Sequence, residues 1–100
     1  MTDRQLVYEE FADKVGGIFA ITEANMPSVP LVLKEAKPLN PAWGLRGVRP
    51  PFALMFLARQ SIVLPQKIYR LKNDRLGEVE IFLVPVGKDA EGVSYQATFN

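Results

Sequence analysis

At 100 residues and 48% hydrophobic content the chain fits one compact domain of ordinary size. Its 12 basic and 11 acidic residues leave a net charge of +1, which gives no electrostatic reason to expect nucleic acid or an anionic membrane as a partner. Cysteine and histidine are both absent, which excludes a disulfide framework, a thiolate nucleophile, a zinc–thiolate site, an imidazole general base, a Ser-His-Asp triad and an imidazole-bound metal.

The N-terminal stretch MTDRQLVYEEF is charged and periodic and lacks the apolar run of a signal peptide. The apolar stretch FALMFLA at 52–58 is far short of the roughly 20 residues that a spanning helix needs. The expectation is a soluble protein, cytoplasmic or incorporated into an assembly exported without a leader. Absence of cysteine leaves the redox compartment open.

Residues 3–15 are expected to form the one helix. Thr2 and Gln5 match a capping box, and Asp3 complements the helix dipole. Val7, Phe11 and Val15 recur at four-residue intervals to make an apolar stripe. Gly16-Gly17 supplies the stop. A helix this short is marginal alone, so it must dock on the sheet.

From Gly17 the apolar period changes from 3.6 to 2. Strands are expected at about 17–24, 31–37, 52–58, 66–71, 78–86 and 93–100. The segment NMPSVP at 25–30 reads as a loop, because its prolines lack the amide a ladder needs. The stretch LGEVEIFLVPVG at 76–87 reads as the central and most buried strand, with Glu78 and Glu80 sharing a face with Phe82 and Val84, so that one face passes from wet to dry. Pro85 there needs an unpaired position or a bulge. The run at 52–58 is apolar on both faces. Lys88 to Gly92 reads as a hairpin turn, and Val93, Tyr95, Ala97 and Phe99 alternate with polar residues to the end of the chain. One domain over 1–100 follows: mainly β, a six-stranded antiparallel partly closed barrel or sandwich with one N-terminal α-helix capping an opening.

The connection PLNPAWGLRGVRPP at 38–51 is long for a small domain, with four prolines, two glycines and the only tryptophan. Two readings stay open. Trp43, Leu45 and Val48 fold back as an apolar plug, or Trp43 anchors a partner-binding loop with Leu45, Arg46 and Arg49 around it.

Four segments, PFALMF at 51–56, PQKIYRL at 65–71, LGEVEIFLVPVG at 76–87 and YQATFN at 95–100, together resemble the DUF6916 family of small bacterial proteins. Its members carry PFSLLF-like, LPQGTYRL-like and GELELFLVPVG-like strands and end in YEAVFN-like residues. The likeness spans essentially the whole chain and is most specific in the second half. Lys67 stands where the pattern has glycine, and the Trp43 loop is the least familiar part. The resemblance supplies no activity and no catalytic residues. It implies an accessory or structural part in a phage-tail-like or secreted assembly, because relatives are encoded near phage-tail-collar-like proteins.

The acidic side chains offer little chemistry. Glu78 and Glu80 stand side by side on one strand face, as two carboxylates flanking a sugar bond would, but a solvated strand rim explains them. Asp89 and Glu91 fall short of a calcium loop's ligand count, and GLRG at 44–47 lacks the Lys-Ser/Thr of a phosphate loop. Arg59, Lys67, Arg70, Lys72 and Arg75 make the middle of the chain basic, with Tyr69 and Phe56 as stacking platforms only if the barrel binds oligonucleotides. The expected function is therefore non-enzymatic contact with other protein chains, by self-association or within a larger assembly, through the Trp43 loop and an exposed edge strand, without metal, cofactor, nucleic acid or membrane. The alternative is a small-molecule or carbohydrate-binding barrel, with Trp43, Tyr69, Phe82 and Tyr95 lining a pocket.

Overall fold

The computed structural model describes residues 6–40 and 50–99. Its elements run α1 (Glu9–Ala12), β1 (Ile18–Ile21), β2 (Val29–Pro38), β3 (Phe52–Ala58), β4 (Lys67–Asn73), β5 (Gly77–Asp89) and β6 (Gly92–Phe99). The six strands form a closed barrel in the order β1-β2-β3-β6-β5-β4, every neighbouring pair antiparallel. Two three-stranded meanders, β1-β2-β3 and β4-β5-β6, are thus joined edge to edge. The expected barrel is present, and its closure reduces the exposed edge strand expected as a contact element to short unpaired stretches at strand ends.

Alternation places Phe19 and Ile21 of β1, Leu31 and Leu33 of β2, Tyr69 and Leu71 of β4, Val79, Ile81 and Leu83 of β5, and Val93, Tyr95 and Ala97 of β6 in the interior. The most buried strand is β3, and not the 76–87 stretch: Phe52, Leu54, Phe56, Leu57 and Ala58 are all buried. In β5 the face of Glu78 and Glu80 stays outside along its length, with Phe82 exposed and Val84 only half-buried. A barrel wall has one inside, so a face that starts in water ends there.

The helix is a single turn, and not the 3–15 segment expected. Phe11 and Lys14 amides donate to carbonyls three residues back, at 2.9 Å each, the tight pattern of isolated turns. The chain then leaves helical geometry because sheet pairing takes it over: Gly16 N donates to Leu33 O at 2.7 Å, and Leu33 N donates to Gly17 O at 3.0 Å. Val15, counted in the apolar stripe, is exposed. Thr2 and Gln5 of the capping box lie outside the described residues. The turn nonetheless caps one barrel end, with Phe11 fully buried and ring centroids 5.9 Å from Phe19 and Phe52 and 6.2 Å from Phe99. Phe52 and Phe99 stack at 4.4 Å across the β3–β6 pair.

The prolines sit where the ladders allow them. Pro30 lies inside β2, contrary to the loop expected at 25–30, but the β2–β3 register starts only at Val32↔Leu57, so Pro30 has a neighbour on one side alone. Pro85 falls at the register shift between Pro85 and Gly87, the bulge its missing amide requires.

The seam between β1 and β4 has the shortest ladder, Ala20↔Lys72 and Ile21↔Leu71, extended by Thr22 N donating to Arg70 O at 2.9 Å. Side chains continue it at both ends. Asn73, the buried polar residue of the core, donates from Nδ2 to Ile18 O, and its Oδ1 accepts from the amides of Arg75 and Leu76, all at 2.9 Å. Glu23 Oε2 accepts from Arg70 N at 2.8 Å. Asn73→Ala leaves a carbonyl and two turn amides without these partners, so it is expected to cost about 2 kcal/mol in urea unfolding and to speed amide exchange along β1 and the 73–77 turn before the rest of the barrel.

At the β5–β6 hairpin, Asp89 pairs with Gly92, and Asp89 Oδ1 accepts from Glu91 N at 2.8 Å. Gly92 has φ +142°, and a Cβ there would fall 2.0 Å from Ala58 O on β3. Gly77 also has a positive φ, +87°, but a Cβ there meets nothing within 4 Å. Gly92→Ala is therefore expected to lose about 3 kcal/mol or more and Gly77→Ala about 1 kcal/mol, compared by urea denaturation.

Candidate functional site

Of the residues expected to line a pocket, two belong to the hydrophobic core. Tyr69 and Tyr95 are buried inside the barrel, with their hydroxyls directed to the end opposite Phe11. There the connection at 59–66 crosses from β3 to β4. Tyr69 Oη donates to Pro65 O, and Tyr95 Oη accepts from Leu64 N at 2.9 Å, while Leu64 packs partly buried against the core. The two tyrosines hold down the crossing segment, each giving its apolar ring to the core and its polar tip to a backbone group. Phe56 is likewise interior, so neither Phe56 nor Tyr69 presents a ring face for a base to stack on. Phe82, the third residue of the expected pocket, is on the outer face and about half exposed. The structure thus separates Phe82 from Tyr69 and Tyr95 by the thickness of the sheet. Trp43, Leu45, Arg46 and Arg49 lie outside the described residues; at the base of their connection Leu39 N donates to Pro51 O at 2.9 Å.

Phe82 instead belongs to a patch on the outside of β4–β5. It is the register partner of Ile68, and both are exposed, at 49% and 60%. Val86, in the β5 bulge, is also 49% exposed, and Ile62 and Val63 are exposed in the connection leading into β4. Beyond Leu83↔Lys67 the β4–β5 pairing stops, so the rest of β5 has β6 alone as a neighbour. Pro85, the bulge and Lys88 blunt that short open edge against strand addition. Along the same outer face Arg70 is the partner of Glu80, and Lys72 of Glu78. The face is apolar at one end and charged at the other, with β4 supplying the cations and β5 the anions.

The pairing of Ile68 with Phe82 comes from the β4–β5 register, which the residues of neither strand show alone. The available signal was in Phe82's own strand, where it shares parity with Glu78 and Glu80 and opposes Val79, Ile81 and Leu83.

Open grooves border this face and others. One runs along the β1–β4 seam, between Gly17, Ile18, Ala20 and Lys72 to Arg75; another lies over β2–β3, beside Glu35, Lys37 and Met55. Among the described residues no three acidic side chains come together as a metal site would require. Asp13 carries the described ion pairs, to Lys14 at 3.0 Å and Arg75 at 3.2 Å; the hydrogen bond from Lys14 leads in holding its pKa below the usual carboxylate value.

The residues that carry the architecture are those of a known family. The family model "Domain of unknown function (DUF6916)" matches residues 6–99. The chain belongs to the DUF6916 family. The match takes in every strand of the barrel, the capping turn and the Ile68–Phe82 face alike. No curated protein matches the chain, and no solved structure does.

Burial raises the Tyr69 pKa above its ordinary value, with the negative charge of an ionised Tyr95 and of Glu23 adding to it. A folded-state pKa above the unfolded one means the native state holds the proton longer. The stabilisation is complete below about pH 10 and is lost as pH rises through the raised value. Tyr69→Phe is expected to flatten the alkaline fall in stability while costing about 1 kcal/mol at neutral pH through the lost bond to Pro65, both read from urea unfolding at stepped pH.

Proposed function

We propose that this DUF6916 protein is a non-enzymatic module whose work is contact with other protein chains, as an accessory or subunit of a multi-subunit assembly, with the outer face of β4–β5 as a contact surface. The observation that carries the reading is the adjacency of Ile68 and Phe82, large apolar side chains left in water side by side on a rigid wall. Covering Ile68, Phe82 and Val86 would contribute about 1 kcal/mol apiece, given that each is about half exposed already. Exposed ion pairs contribute less than that, so on this face the apolar end supplies affinity and the charged end orientation. The interior supports the same reading: one hydrophobic cluster of aromatic and aliphatic side chains runs from Phe11 to the Tyr69–Tyr95 pair. A phage-tail-like assembly is one setting in which such a subunit serves, in line with the genomic surroundings that the family resemblance implies.

A photo-cross-linking amino acid such as p-benzoylphenylalanine, placed at position 82 in host cells, is expected to give protein adducts well above those from position 98, where Thr98 is exposed on β6. Equal yields at the two positions would overturn the assignment of this face.

A further inference from the structure

We infer that the β4–β5 face pairs with the same face of a second copy about a two-fold axis parallel to the strands; this rests on the proposed contact surface and names its partner. On the outer face three pairs stand at successive heights along the strands: Ile68 with Phe82, Arg70 with Glu80, and Lys72 with Glu78. In each charged pair the cation is on β4 and the anion on β5.

A two-fold axis running between β4 and β5, just above the face, exchanges the two strands without changing height. It lays β4 of one copy over β5 of the other. Ile68 then covers Phe82 of the other copy, Arg70 faces Glu80, and Lys72 faces Glu78, each contact occurring twice as an isologous interface requires. The perpendicular axis in the plane of the contact fails on the same residues. It sets Arg70 against its own copy and Ile68 against Lys72. Charge and apolar pattern therefore select one arrangement of two copies. Among the described residues the ion pairs are those of Asp13 with Lys14 and Arg75, which leaves the four charged side chains of this face available to the other copy. Few side chains meet on a convex wall two strands wide, so the dimer is of the small, weak and salt-sensitive class.

Sedimentation velocity on the intact chain, from about 10 µM to 1 mM, tests this. The native protein should show reversible monomer–dimer exchange that weakens with added salt. Phe82→Ser should weaken association about tenfold or more, and so should Arg70→Glu and Glu80→Arg taken singly. The decisive sample is an equimolar mixture of the Arg70→Glu and Glu80→Arg proteins. One then has a wholly acidic pair at these positions and the other a wholly basic one, and the mixture should regain dimer that neither forms alone. Far-UV circular dichroism and urea unfolding establish that each variant is folded before mixing. A native chain that stays monomeric to 1 mM overturns the inference, as does a mixture that fails to recover. If the cross-linker at position 82 still captures a different protein, the contact surface survives and self-pairing falls. If position 82 gives no adduct above position 98 and the chain stays monomeric, both fall.

Discussion

The barrel closes through its shortest ladder. β1 is only four residues long and meets β4 over Ala20↔Lys72 and Ile21↔Leu71. Without that seam the sheet would present two edges, each a row of amides and carbonyls open to another chain. Two side chains lengthen the seam where the backbone runs out. Asn73 bridges the start of β1 and the turn after β4, and Glu23 accepts the Arg70 amide past the end of β1. A buried amide side chain is tolerable there because both of its ends are satisfied, and the penalty for exposing those partners to nothing makes the closed arrangement specific.

Closure creates two openings, and the chain fills them in different chemical styles. At one end the plug is aromatic: Phe11, on a single helical turn, inserts among Phe19, Phe52 and Phe99. At the other, a backbone segment crosses the opening, and its polar groups at 64–65 need partners away from bulk water. Tyr69 and Tyr95 reach them from within the core. Among the described residues, large apolar side chains stand in water on the outer wall at Ile68 and Phe82.

Much of the fold was legible from alternation. The inward positions Phe19, Ile21, Leu31, Leu33, Tyr69, Leu71, Tyr95 and Ala97 follow from period 2, and the strand bounds agree to within a few residues. The misreadings share one cause. The helix expected at 3–15, the loop expected at Val29 and Pro30, and the wet-to-dry face expected of the 76–87 strand each follow from a segment's own residues. Each was decided by a neighbour: Leu33 capturing Gly16 and Gly17, β3 stopping at Val32 so that Pro30 is tolerated, and the single inside of a closed wall. The candidate site was legible only in part. Phe82 was singled out for its aromatic ring, but its direction and its partner Ile68 depend on the β4–β5 register, which lies between strands and not along them.

The sequence by itself determined the chemistry open to the protein and the parity of its strands. No histidine or cysteine is present to act, and alternating apolar residues over most of the chain commit it to a shared interior. These are local properties, set by residue type and by a backbone that turns successive side chains to opposite faces. Tertiary structure decided closure, the order β1-β2-β3-β6-β5-β4, and which aromatic rings face water. Those outcomes depend on pairings between residues far apart in the chain, such as Asn73 with Ile18 or Tyr95 with Leu64. No property of one segment encodes its height against another until the whole wall is assembled.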